Sequence, residues 1–161
     1  MTGTPSAPPA VPPPTDREIV VTRLLDAPRA LVFDAWTDAA HISAWWGPRG
    51  FTTSTDEMDV RPGGIWRFVM HGPDGVDYRN RVVYTEVARP ERLVYAHRGE
   101  GVDDHGEFHV TVTFTEEDGR TRVVLRMQAA SVAECERMKA FGAIEGGNHT
   151  LDRLGEYLAT R

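Results

Sequence analysis

Six histidines, one cysteine and a few serines are the residues in this chain that metal, nucleophilic or acid–base chemistry would use. His105 and His109 stand four apart, as a helical ligand pair does, but a strand begins between them. On a strand they would lie roughly 13 Å apart, too far to share an ion. His71 and His97 fall on different strands, and nothing in the sequence joins them, so no metal site is expected. Ser43, Ser54 and Ser131 read as helix, strand and cap residues, and none stands in a G-x-S-x-G turn. Cys135 falls one turn into a helix, where the dipole lowers a thiol pKa. No base accompanies it in sequence, so it reads as a packed thiol. Lys139 is the only lysine, and its context fits neither a Schiff base nor a phosphate loop. No catalytic residue and no cofactor is expected.

A second set of residues emerges from alternation. Ile65–His71 places Trp66, Phe68 and Met70 on one face. Val76–Val87 turns Tyr78, Asn80, Val82 and Tyr84 inward and leaves Arg79 and Arg81 to water. Leu93, Tyr95 and His97 share a face, and Phe108, Val110, Val112 and Phe114 line another. Large apolar residues are normally buried, so each of these alone reads as core. Asn80 and His97 alone read as polar groups satisfied by hydrogen bonds within it.

The elements that position them follow in order. REIVVTRLL, from Arg17, has the β-branched content of a strand. Asp26-Ala27-Pro28 opens a short helix whose apolar side is Leu31, Val32, Ala35 and Trp36. Thr37-Asp38 caps a second one, which stops at Trp45-Trp46-Gly47-Pro48. Strands then run from Thr53–Met58 to Thr121–Gln128. They are joined by turns at Pro62-Gly63-Gly64, Gly72–Gly75, Pro90-Glu91 and Asp118-Gly119, and by a polar loop, RGEGVDDHG, at 98–106. A single helix is expected from Ser131 to Leu158, with Ser131 and Glu134 forming a capping box. Its stripe contains Ala140, Ile144, Gly147, Leu151, Leu154 and Leu158. It would span roughly 40 Å, with a bend or close approach at Gly142, Gly146 and Gly147. Consecutive strands with tight turns give an antiparallel sheet. One face of that sheet needs the helix as its cover, and a cavity between the two is a natural result. The expected class is α+β.

The length, 161 residues, sets one domain. Residues 1–15 are proline-rich and have no face to bury, so they read as a disordered tail ahead of a domain at 16–161. A net charge of −6 argues against nucleic-acid binding. No apolar run reaches the roughly 20 residues of a membrane span. One cysteine and no signal-peptide pattern make a cytoplasmic location the default.

DAPRALVFDAWTD, AWWGPRGF, PGGIWRFVMHGPDG and GAIEGGNHTLDRLGEYLA resemble the activator of heat-shock-protein-90 ATPase homologue family. That family lies within the START-like, SRPBCC superfamily, and the resemblance covers residues 17–159. It implies a helix-grip fold, a curved antiparallel sheet wrapped around a long C-terminal helix with two short helices after the first strand. It implies no particular activity, but it favours a pocket enclosed by the inward aromatics, and the first reading is that this pocket binds a small hydrophobic or amphipathic ligand without transforming it. The lining implied is Trp66, Phe68, Met70, Tyr78, Tyr84, Tyr95, Phe108 and Val110 from the sheet, with Phe141, Ile144, Gly147 and Leu151 from the helix. Asn80 and His97 would orient the ligand, and Trp45 and Trp46 would form a rim or a plug. Two alternatives stand beside this reading. One is a cyclase- or hydrolase-type enzyme with His97 as acid–base and Tyr78 or Asn80 polarising the substrate. The other is a co-chaperone-like interaction module, for which the chain lacks room for the separate chaperone-binding domain of the eukaryotic members. A homodimer stays open, and a chaperone partner has no support in the residues. In the family pattern a Trp often follows the glycine that corresponds to Gly146; here that position is Gly147.

Overall fold

In a computed structural model of the chain, residues 11–100 and 106–161 are described. The first ten residues of the expected tail, and His105 with most of the 98–106 loop, lie outside them. The order is β1 (Glu18–Leu25), α1 (Arg29–Thr37), α2 (Ala39–Trp45), β2 (Thr52–Met58), β3 (Ile65–His71), β4 (Asp77–Ala88), β5 (Arg92–Glu100), β6 (Phe108–Glu117), β7 (Arg120–Gln128), α3 (Val132–Ala140) and α4 (Ala143–Leu158). The strands form one antiparallel sheet, β1-β7-β6-β5-β4-β3-β2. Hairpins join β2 through β7 in sequence order, and β1 closes against β7, pairing Val21 with Leu125.

Local chemistry sets the helix starts. Asp38 accepts a hydrogen bond from the Ala40 amide at 2.9 Å and begins α2. Ser131 Oγ accepts from the Glu134 amide at 3.1 Å and begins α3. The single expected helix divides here. Gly142 adopts φ 86°, a left-handed conformation that ends α3 and sets a new axis for α4. α4 has 16 residues, so it is about 24 Å long rather than 40 Å. Its Leu151, Leu154 and Leu158 are buried.

The helices divide the sheet's inner face into two halves. Over one half, α1 and α2 drive in Phe33, Trp36, Ile42 and Trp45, all essentially inaccessible. Trp36 meets Trp45 edge-on at 4.9 Å and Phe114 at 5.6 Å, and Phe33 meets Phe114 at 5.3 Å. Such pairs add to simple area burial. The Trp45 indole donates to the Ala35 carbonyl at 3.1 Å, so its one polar atom is satisfied. Trp46 extends the cluster onto Trp66 at 5.2 Å, and Trp66 stacks on Phe68 at 3.9 Å. α3 and the start of α4 cover the other half.

Candidate functional site: a cavity between the sheet and the last two helices

Along β5 and β6 the inner residues change from tightly packed to open. Leu93, Val112 and Phe114 are buried at the end capped by α1. Tyr95 and Val110 follow, and then His97 beside Phe108, their rings 4.7 Å apart. At that end the sheet and helices line a cavity of about 320 Å³ that opens to solvent. This lies at the small end of the roughly 300–1,000 Å³ range of ligand pockets. Its floor is Met70, Tyr95, His97, Phe108, Val110, Leu125 and Met127. Its far wall is α3, through Glu134, Arg137 and Met138, with Phe141 and Gly142 at the corner. Ala143, Gly146, Gly147 and Thr150 of α4 and the Trp46-Gly47-Pro48 corner complete it. The lining residues are mostly apolar; the polar ones are His97, Tyr95, Thr150 and the Glu134–Arg137 ion pair at 3.1 Å.

His97 is the polar group of the floor. Its ring is enclosed by protein while part of its surface faces the cavity, and burial pushes its pKa down to about 4. It is therefore neutral near pH 7. Asn80 sets which nitrogen holds the proton. The Asn80 amide NH₂ donates to the Tyr78 carbonyl at 3.0 Å, an acceptor only, so Oδ1 is the atom facing His97. Nε2 lies 2.9 Å from that oxygen and must be the N–H donor. Nδ1 is then the ring's acceptor. Burial also raises the Tyr84 and Tyr95 phenol pKa values above their usual range, so both keep their protons.

Of the residues named from sequence, Trp46, Met70, Tyr95, His97, Phe108, Val110, Phe141 and Gly147 stand around this cavity. The others stand elsewhere. Trp45, Trp66, Phe68, Tyr84 and Leu151 are packed into the core. Asn80 lies behind His97 as its hydrogen-bond partner. Tyr78 rests against Phe51 at 6.0 Å, and Ile144 is 41% exposed on the outer side of α4. Phe141 is 72% exposed, so it forms an edge rather than a wall. Leu125, Met127 and the α3 wall also line the cavity, beyond the residues expected from sequence. Leu125 and Met127 were legible as inward residues of the last strand. Glu134, Arg137, Met138 and Phe141 fall at i, i+3, i+4 and i+7, one helical face, but two charges disguise it.

Two features hold the cavity's walls. At Gly147 a Cβ atom would lie 3.0 Å from Val21 Cγ2, closer than side chains normally approach. The missing side chain has let α4 settle onto β1, closing the gap at this point. On the other side Arg153 of α4 turns inward rather than to water. Its Nη1 donates to the carbonyls of Trp46, Gly47 and Pro48 at 3.1, 2.9 and 3.2 Å. Burial, with Arg49 nearby, lowers its pKa from the ordinary arginine value. The corner that forms the cavity's rim is thereby fixed to the helix.

An antiparallel sheet closed on one side by a C-terminal helix, with an internal cavity between them, is the helix-grip architecture of START-like proteins. Residues 26–159 match the family described as Activator of Hsp90 ATPase homolog 1-like protein, and the chain belongs to that family. Its fold is similar to protein Ms6760 from Mycobacterium smegmatis, 25% identical, with 89% of this chain and 91% of that one covered and a TM-score of 0.82. A protein from Arthrobacter aurescens is 24% identical, with 91% and 88% covered and a TM-score of 0.85. Protein NE0264 from Nitrosomonas europaea is 21% identical, with 91% and 97% covered and a TM-score of 0.82. No curated protein matches the sequence. No helix among the described residues is long and apolar enough to cross a membrane.

Proposed function

We propose that this chain binds a small hydrophobic or amphipathic molecule in the cavity between its sheet and α3–α4, without transforming it. The observation that carries the reading is the composition of that cavity. Met70, Met127 and Met138 give it adaptable walls, suited to apolar guests of varied shape. A neutral histidine of fixed tautomer offers an acceptor, so the favoured guest carries one hydroxyl or N–H donor on an apolar body. Among the described lining residues, a charged head group would find only the Glu134–Arg137 pair.

The test uses N-phenyl-1-naphthylamine, an apolar fluorophore with a single N–H donor. The expected result is saturable enhancement of its fluorescence, lost in Val110→Trp and in Met127→Trp, where an indole fills the cavity. His97→Ala should weaken binding modestly, by less than about 1.5 kcal/mol, the net value of one neutral hydrogen bond. Folded filling variants that bind the probe as tightly as the parent would refute the assignment of this cavity.

A further inference from the structure

The opposite face of the sheet carries a set of groups that the cavity does not use. Strand register places Thr52, His71 and Asp77 in one row across β2, β3 and β4. Their neighbours along the strands, Thr53, Met70 and Tyr78, point to the inner face, so His71 and Asp77 point outward. Ser54, two residues on from Thr52, shares that outer face. The Ser54 hydroxyl oxygen lies 2.9 Å from His71 Nε2, and Asp77 Oδ1 lies 2.8 Å from His71 Nδ1.

The proton positions follow from chemistry. An ionised carboxylate only accepts, so the Asp77 contact requires a proton on Nδ1. In the neutral imidazole Nε2 is then the bare nitrogen, and the bond to Ser54 runs from the hydroxyl to the ring. A serine thus donates to a histidine whose tautomer is fixed by an aspartate, which is the arrangement of a nucleophile, a general base and its orienting acid. All three groups are accessible: Ser54 is exposed, and the His71 and Asp77 side chains are 40% and 54% exposed. β2 is an edge strand of the sheet, so its amides that point away from β3 meet no further strand.

We propose that Ser54, His71 and Asp77 form a second, surface site that hydrolyses small unhindered carboxylic esters. Ser54 Oγ attacks the ester carbonyl carbon while its proton passes to His71 Nε2. The carbon–oxygen bond to the leaving alcohol breaks as Nε2 returns that proton to the departing oxygen, leaving an acyl-Ser54. Water, deprotonated by Nε2, attacks the acyl carbon. Release of the carboxylic acid restores the Ser54 hydroxyl. Asp77 stays ionised throughout and steadies the imidazolium. All three side chains are exposed to solvent, so discrimination among small esters is weak.

The experiment combines p-nitrophenyl acetate turnover with labelling by a fluorophosphonate and peptide mass mapping of the adduct. The expected result is a stoichiometric adduct on Ser54 and turnover above the buffer rate. Both should vanish in Ser54→Ala. His71→Gln should slow labelling about 100-fold, the lower range for loss of general-base catalysis. Asp77→Asn should slow it at least tenfold by releasing the tautomer. Ser54→Ala should leave N-phenyl-1-naphthylamine binding unchanged, because the cavity is on the other face, and that binding also reports folding. No adduct on Ser54 in folded protein, or adducts formed equally fast in His71→Gln, would overturn the proposal.

Discussion

Acidification should destabilise this fold through His97 at a pH where the carboxylates are still ionised. In the folded chain the ring's pKa is pushed down to about 4 by burial. In the unfolded chain it returns to about 6.5. Between those values the unfolded chain binds a proton that the folded chain does not, so stability falls as pH falls. Each pKa unit is worth about 1.36 kcal/mol. The difference therefore removes roughly 3 kcal/mol between pH 6.5 and 4, and nothing above that window. Against total stabilities of about 5–15 kcal/mol this is a large share. The assay is urea unfolding in half-unit steps of pH from 7.5 to 4, on the parent and on His97→Phe. Phenylalanine costs the Asn80 hydrogen bond equally at every pH, so the comparison lies in the slopes. The other histidines are common to both proteins and cancel in the difference. Glu18, Glu117 and Glu156 have lowered pKa values, through hydrogen bonds and arginine partners; their contributions begin to fade only near the acid end of the window and, being common to both proteins, cancel in the difference. The parent should lose up to about 1.4 kcal/mol more per pH unit than the variant in mid-window. Parallel curves from pH 6.5 to 4 would refute the assignment of a buried, neutral His97.

Three further outcomes are expected. Gly147→Trp should cost about 1–3 kcal/mol in urea unfolding, because its Cβ position is fixed by the backbone and meets Val21 whatever the rotamer. A variant as stable as the parent would show that α4 has room there. Arg153→Met should cost about 1.5–3 kcal/mol, through three carbonyls left without their charged donor. It should also speed amide exchange at residues 46–51; unchanged exchange would remove Arg153 from the role of fixing the rim. Deleting residues 1–15 removes the hydrogen bond from Arg126 to the Pro12 carbonyl and the exposed bonds of Thr15 with Glu18 and Arg17, but Arg126 keeps its Glu18 partner at 3.0 Å. The change in unfolding free energy should stay below about 1 kcal/mol, and a larger loss would show that the tail is part of the folded unit.

Sheet topology was legible because turn chemistry and alternation are local. Pro62-Gly63-Gly64 and Gly72–Gly75 mark hairpins wherever they occur, and hairpins alone order six of the seven strands. The inward direction of Asn80 and His97 was equally legible, since it depends only on counting by two. Their hydrogen bond was not, because it depends on the register of β4 against β5, where a shift between Tyr84 and Glu86 offsets the count. The outer-face row of Ser54, His71 and Asp77 was hidden for the same reason. Asp77 follows His71 across a turn, but Ser54 joins them only through a diagonal between paired strands. The helix break was half legible. Three glycines signalled an interruption, yet only one, Gly142, takes the left-handed conformation, and nothing local distinguishes it from Gly146 or Gly147. The division of the aromatics between core and cavity depended on that break. It decides which half of the sheet α4 covers and which half is left to α3.

That break has a consequence for how the protein can be altered. α3 is placed by the Ser131 cap at one end, the φ of Gly142 at the other and the buried Cys135 between them. Of its cavity-facing side chains, Met138 packs against the core and helps to hold it there, whereas Arg137 is exposed. Arg137 can therefore be exchanged for size or for charge without moving the wall, and Met138 for another apolar residue of similar volume. The tryptophan cluster beneath α1 and α2 would not register the change. A scaffold built this way separates the positions that choose a guest from those that keep the chain folded, so new selectivity can be written into one short helix.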